Sequence, residues 1–424
     1  MMAALLFGSF IVLIFLGIPV AFSLGLASLL YLVIGDIPLT IIPQRMFGGL
    51  NSFTLLCIPG FILAGNLMNA GGITDRIIHF ANSILGHIRG GLGLANVGAS
   101  MGFSGISGTA LADTASIGSV MIPSMKKQGY GAGFSAAVTA SSSVVGPIIP
   151  PSLPMIMVGT LAALSIGDLF AAGIIPGLLL GLGLMIPTYL ISVKRGYPKG
   201  KRSTLKEIWT SFGGAFWALF MTIIILYGIL GGYFTPTEAS IIAVLYAVVV
   251  GLLVYKELKV KDLPSIILKS MVSAASIMLL VGFANLFGWI MTREQIPQLI
   301  ADSILGFSTN SVVVILLVIL LLLFVGTFME TIAALVILFP VLLPVATQIG
   351  MDPIQFGVVM VLTLVIGLMT PPVGVCLFVA SQIGRVSMGK VVRELVPFFG
   401  IALLVLLLVA FVPQITLFLP NLFE

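Results

Sequence analysis

Apolar runs approaching twenty residues, with few or no charges inside them, recur along nearly the whole chain and predict membrane-spanning helices. They lie near 3–34, 51–72, 133–163, 168–193, 211–233, 239–255, 264–292, 354–384 and 396–418. The first is too long for one comfortable span and is interrupted by Gly17-Ile18-Pro19. Proline removes a helical donor and glycine disfavours helix, so two short helices with a turn between them are expected there. Two further blocks, 90–125 and 310–349, are apolar overall but broken near their middles by Gly, Ser or Thr. These read as re-entrant hairpins, entering and leaving on the same side. The stretch 73–89 is amphipathic and carries Asp75, Arg76, His79, His87 and Arg89. It reads as an interfacial helix rather than a metal site.

Composition strengthens the membrane reading. Of 424 residues, 59% are hydrophobic and only 8% charged, whereas an ordinary soluble domain carries about a quarter charged residues. Nineteen Lys and Arg with fourteen Asp and Glu cannot cover a water-exposed surface of this size. A soluble enzyme, a nucleic-acid binder and a disordered scaffold are excluded together. What remains is an all-α polytopic membrane protein.

The net charge of +5 does not mark one basic face. Fifteen of the nineteen basic residues fall in four short stretches, 126–127, 194–206, 256–269 and 385–393, the pattern of cytoplasmic loops lying against anionic headgroups. Lys194, Arg195, Lys199, Lys201, Arg202 and Lys206 thus assign the central loop, 196–210, to the cytoplasm. Counting outward puts both chain ends outside. No basic residues precede the first apolar run, so it is expected to be a retained helix, not a cleaved signal. Cys57 and Cys376 both sit in apolar segments and imply no disulfide framework.

The chain also contains one plan twice. At an offset of 221 residues, Gly105 falls on Gly326, Pro123 on Pro344, Gly129 on Gly350 and Gly146 on Gly367, and Pro150-Pro151 falls on Pro371-Pro372. At an offset of 220, Ser83-Ile84-Leu85-Gly86 matches Ser303-Ile304-Leu305-Gly306. With the central loop between them, copies 1–195 and 211–424 would run in opposite senses. That is an inverted-topology repeat, common among secondary transporters.

The candidate chemistry lies where the helices are interrupted. Gly146-Pro147-Ile148-Ile149-Pro150-Pro151-Ser152 breaks the 133–163 segment, and Gly367-Leu368-Met369-Thr370-Pro371-Pro372-Val373-Gly374 breaks 354–384. Non-helical backbone at membrane depth survives where protein or a wet cavity satisfies it, and freed carbonyls suit a hard cation. One such break reads equally as a proline kink; two at matched positions favour ion sites. The hairpin middles supply further oxygens: Ser104, Ser107 and Thr109 in the first, Thr327, Glu330 and Thr331 in the second. The tip 104–109 is therefore paired with 146–152, and the tip 326–331 with 367–374. Asp113 and Glu330 are the clearest ionisable groups inside the membrane, and so functional candidates, with Glu238 a weaker third. Glu330 could ligate a cation or take a proton; Asp113 reads equally as functional or as a hairpin cap. No HExxH, CxxC, Walker loop or GxSxG elbow occurs, so no enzyme chemistry is expected, and uphill transport would need an ion gradient or another subunit.

The blocks 86–118, 146–156, 326–346 and 367–381, with cores GFSGISGTALADTASIG, GPIIPPSLPMI, GTFMETIAALVILFPVLLPVA and GLMTPPVGVCLFVAS, together resemble the large membrane subunit of tripartite ATP-independent periplasmic (TRAP) transporters. The resemblance spans nearly the whole chain. It implies a sodium-driven elevator in the bacterial inner membrane, a small membrane subunit, a periplasmic substrate-binding protein, and an organic acid such as a C4-dicarboxylate or sialic acid as substrate. The chain has no additional four-helix portion, so the small subunit is expected to be separate. Carried onto these residues, one sodium would be held by Ser104, Ser107, Gly146, Pro147, Pro150 and Pro151. A second would be held by Gly326, Thr327, Glu330, Gly367, Thr370 and Pro371. The substrate would meet Ser107, Thr109, Ser152 and Thr370. Neither break contains Arg or Lys, so backbone N–H groups and hydroxyls would have to hold the anion. The competing expectation is a single-component sodium or proton symporter on the same plan.

Overall fold

The computed structural model describes residues 2–307 and 310–423, and every named element among them is helical. Helices α1 (Met2–Phe15) and α2 (Val20–Ile34) are separated at Gly17–Pro19 as expected. Then come α3 (Ile41–Leu50), α4 (Cys57–Ala70) and α5 (Ile73–Leu85). Hairpin one is α6 (Gly91–Ser107) and α7 (Ala110–Lys127); the first broken helix is α8 (Ala132–Ser142) and α9 (Leu153–Ala162). After α10 (Ile166–Lys194), α11 (Leu205–Leu230), α12 (Pro236–Val249) and α13 (Leu263–Arg293), the same order resumes. Helix α14 (Ile296–Phe307) takes the place of α5, and α15 (Ser311–Gly326) with α16 (Thr331–Gln348) forms hairpin two. Next come α17 (Pro353–Gly367) and α18 (Val375–Gly384), the second broken helix, then α19 (Met388–Phe411), α20 (Gln414–Leu417) and α21 (Pro420–Phe423).

Six helices among the described residues are long and apolar enough to cross a membrane: α10, α11, α12 with its extension to Val254, α13 with its lead-in from Val260, α16 and α19. A seventh crossing is available if α3 and α4, bent by 71°, count as one. The chain is a multi-pass membrane protein. The apolar pattern predicts one segment over 51–72 and gives no sign of α3 before it. That short helix has no buried residue, so no apolar stripe announced it.

Two bodies can be distinguished by packing. An inner body gathers both hairpins and both broken helices, with α10 and α19 against it. Nearly every residue of α8 and α17 is buried. An outer frame of α2, α3, α4, α11, α12 and α13 encloses one side. It leaves Trp209, Ile223, Tyr227, Leu245 and Leu268 exposed, the apolar surface that lipid or another membrane helix would cover.

Within the inner body the hairpins exchange partners. Helix α7 packs on α18, and α16 packs on α9, so the second arm of each hairpin meets the far half of the other broken helix. The Nζ of Lys126, at the foot of α7, donates to the Gly384 carbonyl at the end of α18 at 2.8 Å. At the same end, Arg195 forms a two-pronged ion pair with Glu394 at 3.0 and 2.7 Å, tying α10 to α19.

Candidate functional site

Helix α8 unwinds through a short tight turn at Ser143–Val145 and stops at Gly146, because Pro147, Pro150 and Pro151 cannot donate to a helical ladder. Three of the seven residues 146–152 lack an N–H, leaving this buried backbone richer in acceptors than in donors. The Pro371-Pro372 pair does the same between α17 and α18. Both Pro-Pro peptide bonds, 150–151 and 371–372, are cis. The helices restart at Ser152 and Gly374.

The first tip meets the first break. Gly108 lies against the carbonyl of Pro151 and against Leu153. Asp113, fully buried one turn into α7, presses its carboxylate against Gly146 so closely that no Cβ would fit there. Ser104 is buried and donates to the Ser100 carbonyl at 2.6 Å, while Ser100 donates to Ser142 Oγ at 2.8 Å, linking α6 to the end of α8. The side chain of Ser107 lies outside the described residues.

The second tip meets the second break more tightly. The Gly374 N–H donates to the Thr327 carbonyl at 3.0 Å. Gly326 and Gly367 stand backbone to backbone: a Cβ on Gly367 would fall 2.6 Å from the Gly326 Cα, and one on Gly326 would fall 2.7 Å from the Leu364 carbonyl oxygen. Thr327 donates to Phe324 O at 2.8 Å, and Thr370, half-buried, donates to Ile366 O at 2.8 Å. Glu330 is exposed in the isolated chain and caps α16, accepting from the Ile332 and Ala333 N–H groups at 2.9 and 3.2 Å. The two breaks also differ in access. Pro147, Pro150, Pro151 and Ser152 are buried, whereas Pro371, Pro372 and Val373 are exposed.

Of the residues assigned to substrate, Thr109, Ser152 and Thr370 have described side chains, and these three do not line one cavity. Thr109 caps α7, accepting from Ala112 N–H at 3.4 Å. It lines a cavity of about 190 Å³ between the frame and hairpin one, with Ser116 on the same helix and Asn66, Asn69 and Ser273 on the facing walls. Ser152 and Thr370 do not line that cavity. Ser152 is fully buried and doubly engaged, donating to the Pro147 carbonyl and accepting from the Met155 N–H at 3.2 Å. A serine just before an apolar helix start is an N-cap signal, so this structural duty was readable. Asn66 and Asn69 were not singled out from the sequence, because nothing local separates them from packing polar residues in an apolar helix.

Residues 7–415 match the family described as the tripartite ATP-independent periplasmic transporter, DctM component. This chain belongs to the TRAP large-permease family. It is 44% identical to the sialic acid TRAP transporter large permease SiaM of Vibrio cholerae, over 97% of this chain and 96% of that protein. It is 36% identical to the C4-dicarboxylate large permease DctM of Rhodobacter capsulatus, over 100% and 99% of the two chains. The isethionate permease DctMQ of Oleidesulfovibrio alaskensis is 42% identical, and the match covers 97% of this chain but 65% of that longer protein. Among solved structures, the Alcanivorax borkumensis YdaH transporter shares the fold with a TM-score of 0.62 at 15% identity, over 86% of each chain. As a TRAP large permease, the protein is a transporter subunit of the bacterial inner membrane and not an enzyme. Members of this family work with a small permease and a periplasmic binding protein.

Proposed function

We propose that this TRAP permease carries an organic acid inward in symport with sodium, accepting it from a periplasmic binding protein and working beside a separate small permease. The supporting observation is the pair of acceptor-rich breaks, each closed by a hairpin tip. Sodium is a small hard cation that takes oxygen ligands, and proline-rich backbone offers carbonyls with few competing N–H donors. The first sodium would use carbonyls of 146–151 with Ser104 and Ser107. The second would use Gly326, Thr327, Gly367 and Thr370, with the Glu330 carboxylate at its edge. The substrate relatives, sialic acid and C4-dicarboxylate permeases, support a carboxylate cargo. Thr109 and the amides of Asn66 and Asn69 would contact it from opposite walls of the cleft, with Ser152 and Thr370 acting through the backbone they hold.

Movement of the inner body against the outer frame, in an elevator manner, accounts for how a site between them could face each side in turn. The halves 1–195 and 211–424 would then be inverted copies with both termini periplasmic. Reconstituted complex should take up acid only with a sodium gradient, with a Hill coefficient for sodium above one. Full uptake without sodium on either side would overturn the coupling. Efficient uptake by this chain alone, without a binding protein, would favour the single-component symporter.

A further inference from the structure

All but two of the nineteen basic residues lie in the four basic stretches or are tied to that end of the molecule. Arg76 pairs with Glu257 at 2.7 Å, and Arg89 bridges to Lys199. The exceptions are Arg45, on α3, and Arg293, at the far end of the 31-residue helix α13. At about 1.5 Å per residue, that helix spans roughly 46 Å, enough to carry Arg293 to the opposite membrane face.

These two cations meet at one ring. The Arg45 guanidinium lies 5.0 Å from the Trp289 ring centre and that of Arg293 lies 5.6 Å from it. Among the described residues, neither arginine forms an ion pair. Glu294, beside Arg293, instead accepts from the Tyr31 hydroxyl at 2.5 Å. The surroundings are open: a Cβ at Gly48 or Gly288 would meet no atom within 4 Å. Phe47 is 69% exposed and Phe53 63%, and α3 lies at 71° to the following helix, across the spanning direction rather than along it.

We infer that Arg45, Trp289 and Arg293 bind the phosphate group of a phospholipid in the leaflet opposite the basic loops. Guanidinium forks match phosphate oxygens and keep their charge. A tryptophan at a span end belongs at headgroup depth, where it fixes both forks for one anion. The exposed phenylalanines on either side of α3's end offer the acyl chains an apolar bed. A carboxylate on a soluble protein would supply the charge but would leave those rings uncovered. This inference is independent of sodium coupling.

The test is native mass spectrometry on delipidated full-length protein titrated with dioleoylphosphatidylglycerol or with dioleoylglycerol, which lacks the phosphate. The wild type should retain a phosphatidylglycerol adduct that Arg45→Gln/Arg293→Gln binds at least about tenfold more weakly, while dioleoylglycerol binds both equally. If the double variant does not fold, Arg45→Gln alone carries the comparison, because α3 has no buried residue. Equal phosphatidylglycerol retention by wild type and variant would overturn the site. So would loss of binding to the periplasmic protein with lipid retention unchanged, which would assign the arginines to a protein contact.

Discussion

The Nδ2 of Asn69 donates to the Oγ of Ser116 at 3.1 Å, a bond that joins α4 of the outer frame to α7 of hairpin one across the 190 Å³ cleft. The proposed elevator motion of the inner body would break it. Thr74 holds the same amide from behind, donating to Asn69 Oδ1 at 2.8 Å, so Asn69 is aimed before Ser116 arrives. Ser116→Ala should shift melting only slightly, because the bond is solvent-exposed, and should change the transport rate up to several-fold by weakening one conformation by at most about 0.5–1.5 kcal/mol. Identical uptake kinetics in reconstituted wild type and variant would show that the bond is incidental.

Gly326 and Gly367 offer a test of how tightly the second tip is held. The atoms a new Cβ would meet are backbone, which cannot rotate away. Gly326→Ala and Gly367→Ala should each cost about 1–3 kcal/mol and lower the thermal midpoint of the purified protein. Gly213→Ala is the control, since nothing lies within 4 Å of its Cβ position and alanine favours the helix.

Glu330 separates capping from ion binding. Glutamine keeps a carbonyl oxygen for the Ile332 and Ala333 N–H groups, so Glu330→Gln should preserve folding. It removes the charge a cation would see. The expected outcome is a raised sodium requirement for uptake with an unchanged melting curve. An unaltered sodium dependence would leave Glu330 as a cap and nothing more.

Ser152→Ala removes both hydrogen bonds that restart the first broken helix. A lost buried cap costs about 1–2 kcal/mol, so the variant should melt earlier. The sodium requirement should rise as well, because Pro147 would lose the hydroxyl that orients its carbonyl. Uptake titrated against sodium, beside melting of the same preparation, distinguishes this from a purely structural defect.

Local chemistry was legible in the sequence where proline and glycine act on their own neighbours. The Gly17–Pro19 turn, both hairpins and both breaks fall within a few residues of the expected positions, and the apolar stripe of α5 buries Ile73, Ile77 and Ile78. Helix α14 shows no apolar run of spanning length, although its Ser303-Ile304-Leu305-Gly306 matches the end of α5. Its mixed polarity hides a helix to which the sequence match at an offset of 220 points. What could not be read were contacts between distant segments. Nothing near Asn69 specifies Ser116, and nothing near Lys126 specifies Gly384.

The exchange of partners between hairpins has a consequence for biogenesis. Helix α7 meets α6 and α8 early but cannot complete its packing until α18 has been made, and Lys126 waits 258 residues for Gly384. At roughly 5–20 residues per second of synthesis, the first hairpin spends on the order of tens of seconds in the bilayer without its permanent neighbour. Its polar residues, the buried Asp113 among them, must be sheltered during that interval by water, by insertion machinery or by temporary contacts. A nascent chain stalled before α18 should therefore be far more sensitive to membrane proteases than one stalled just after it.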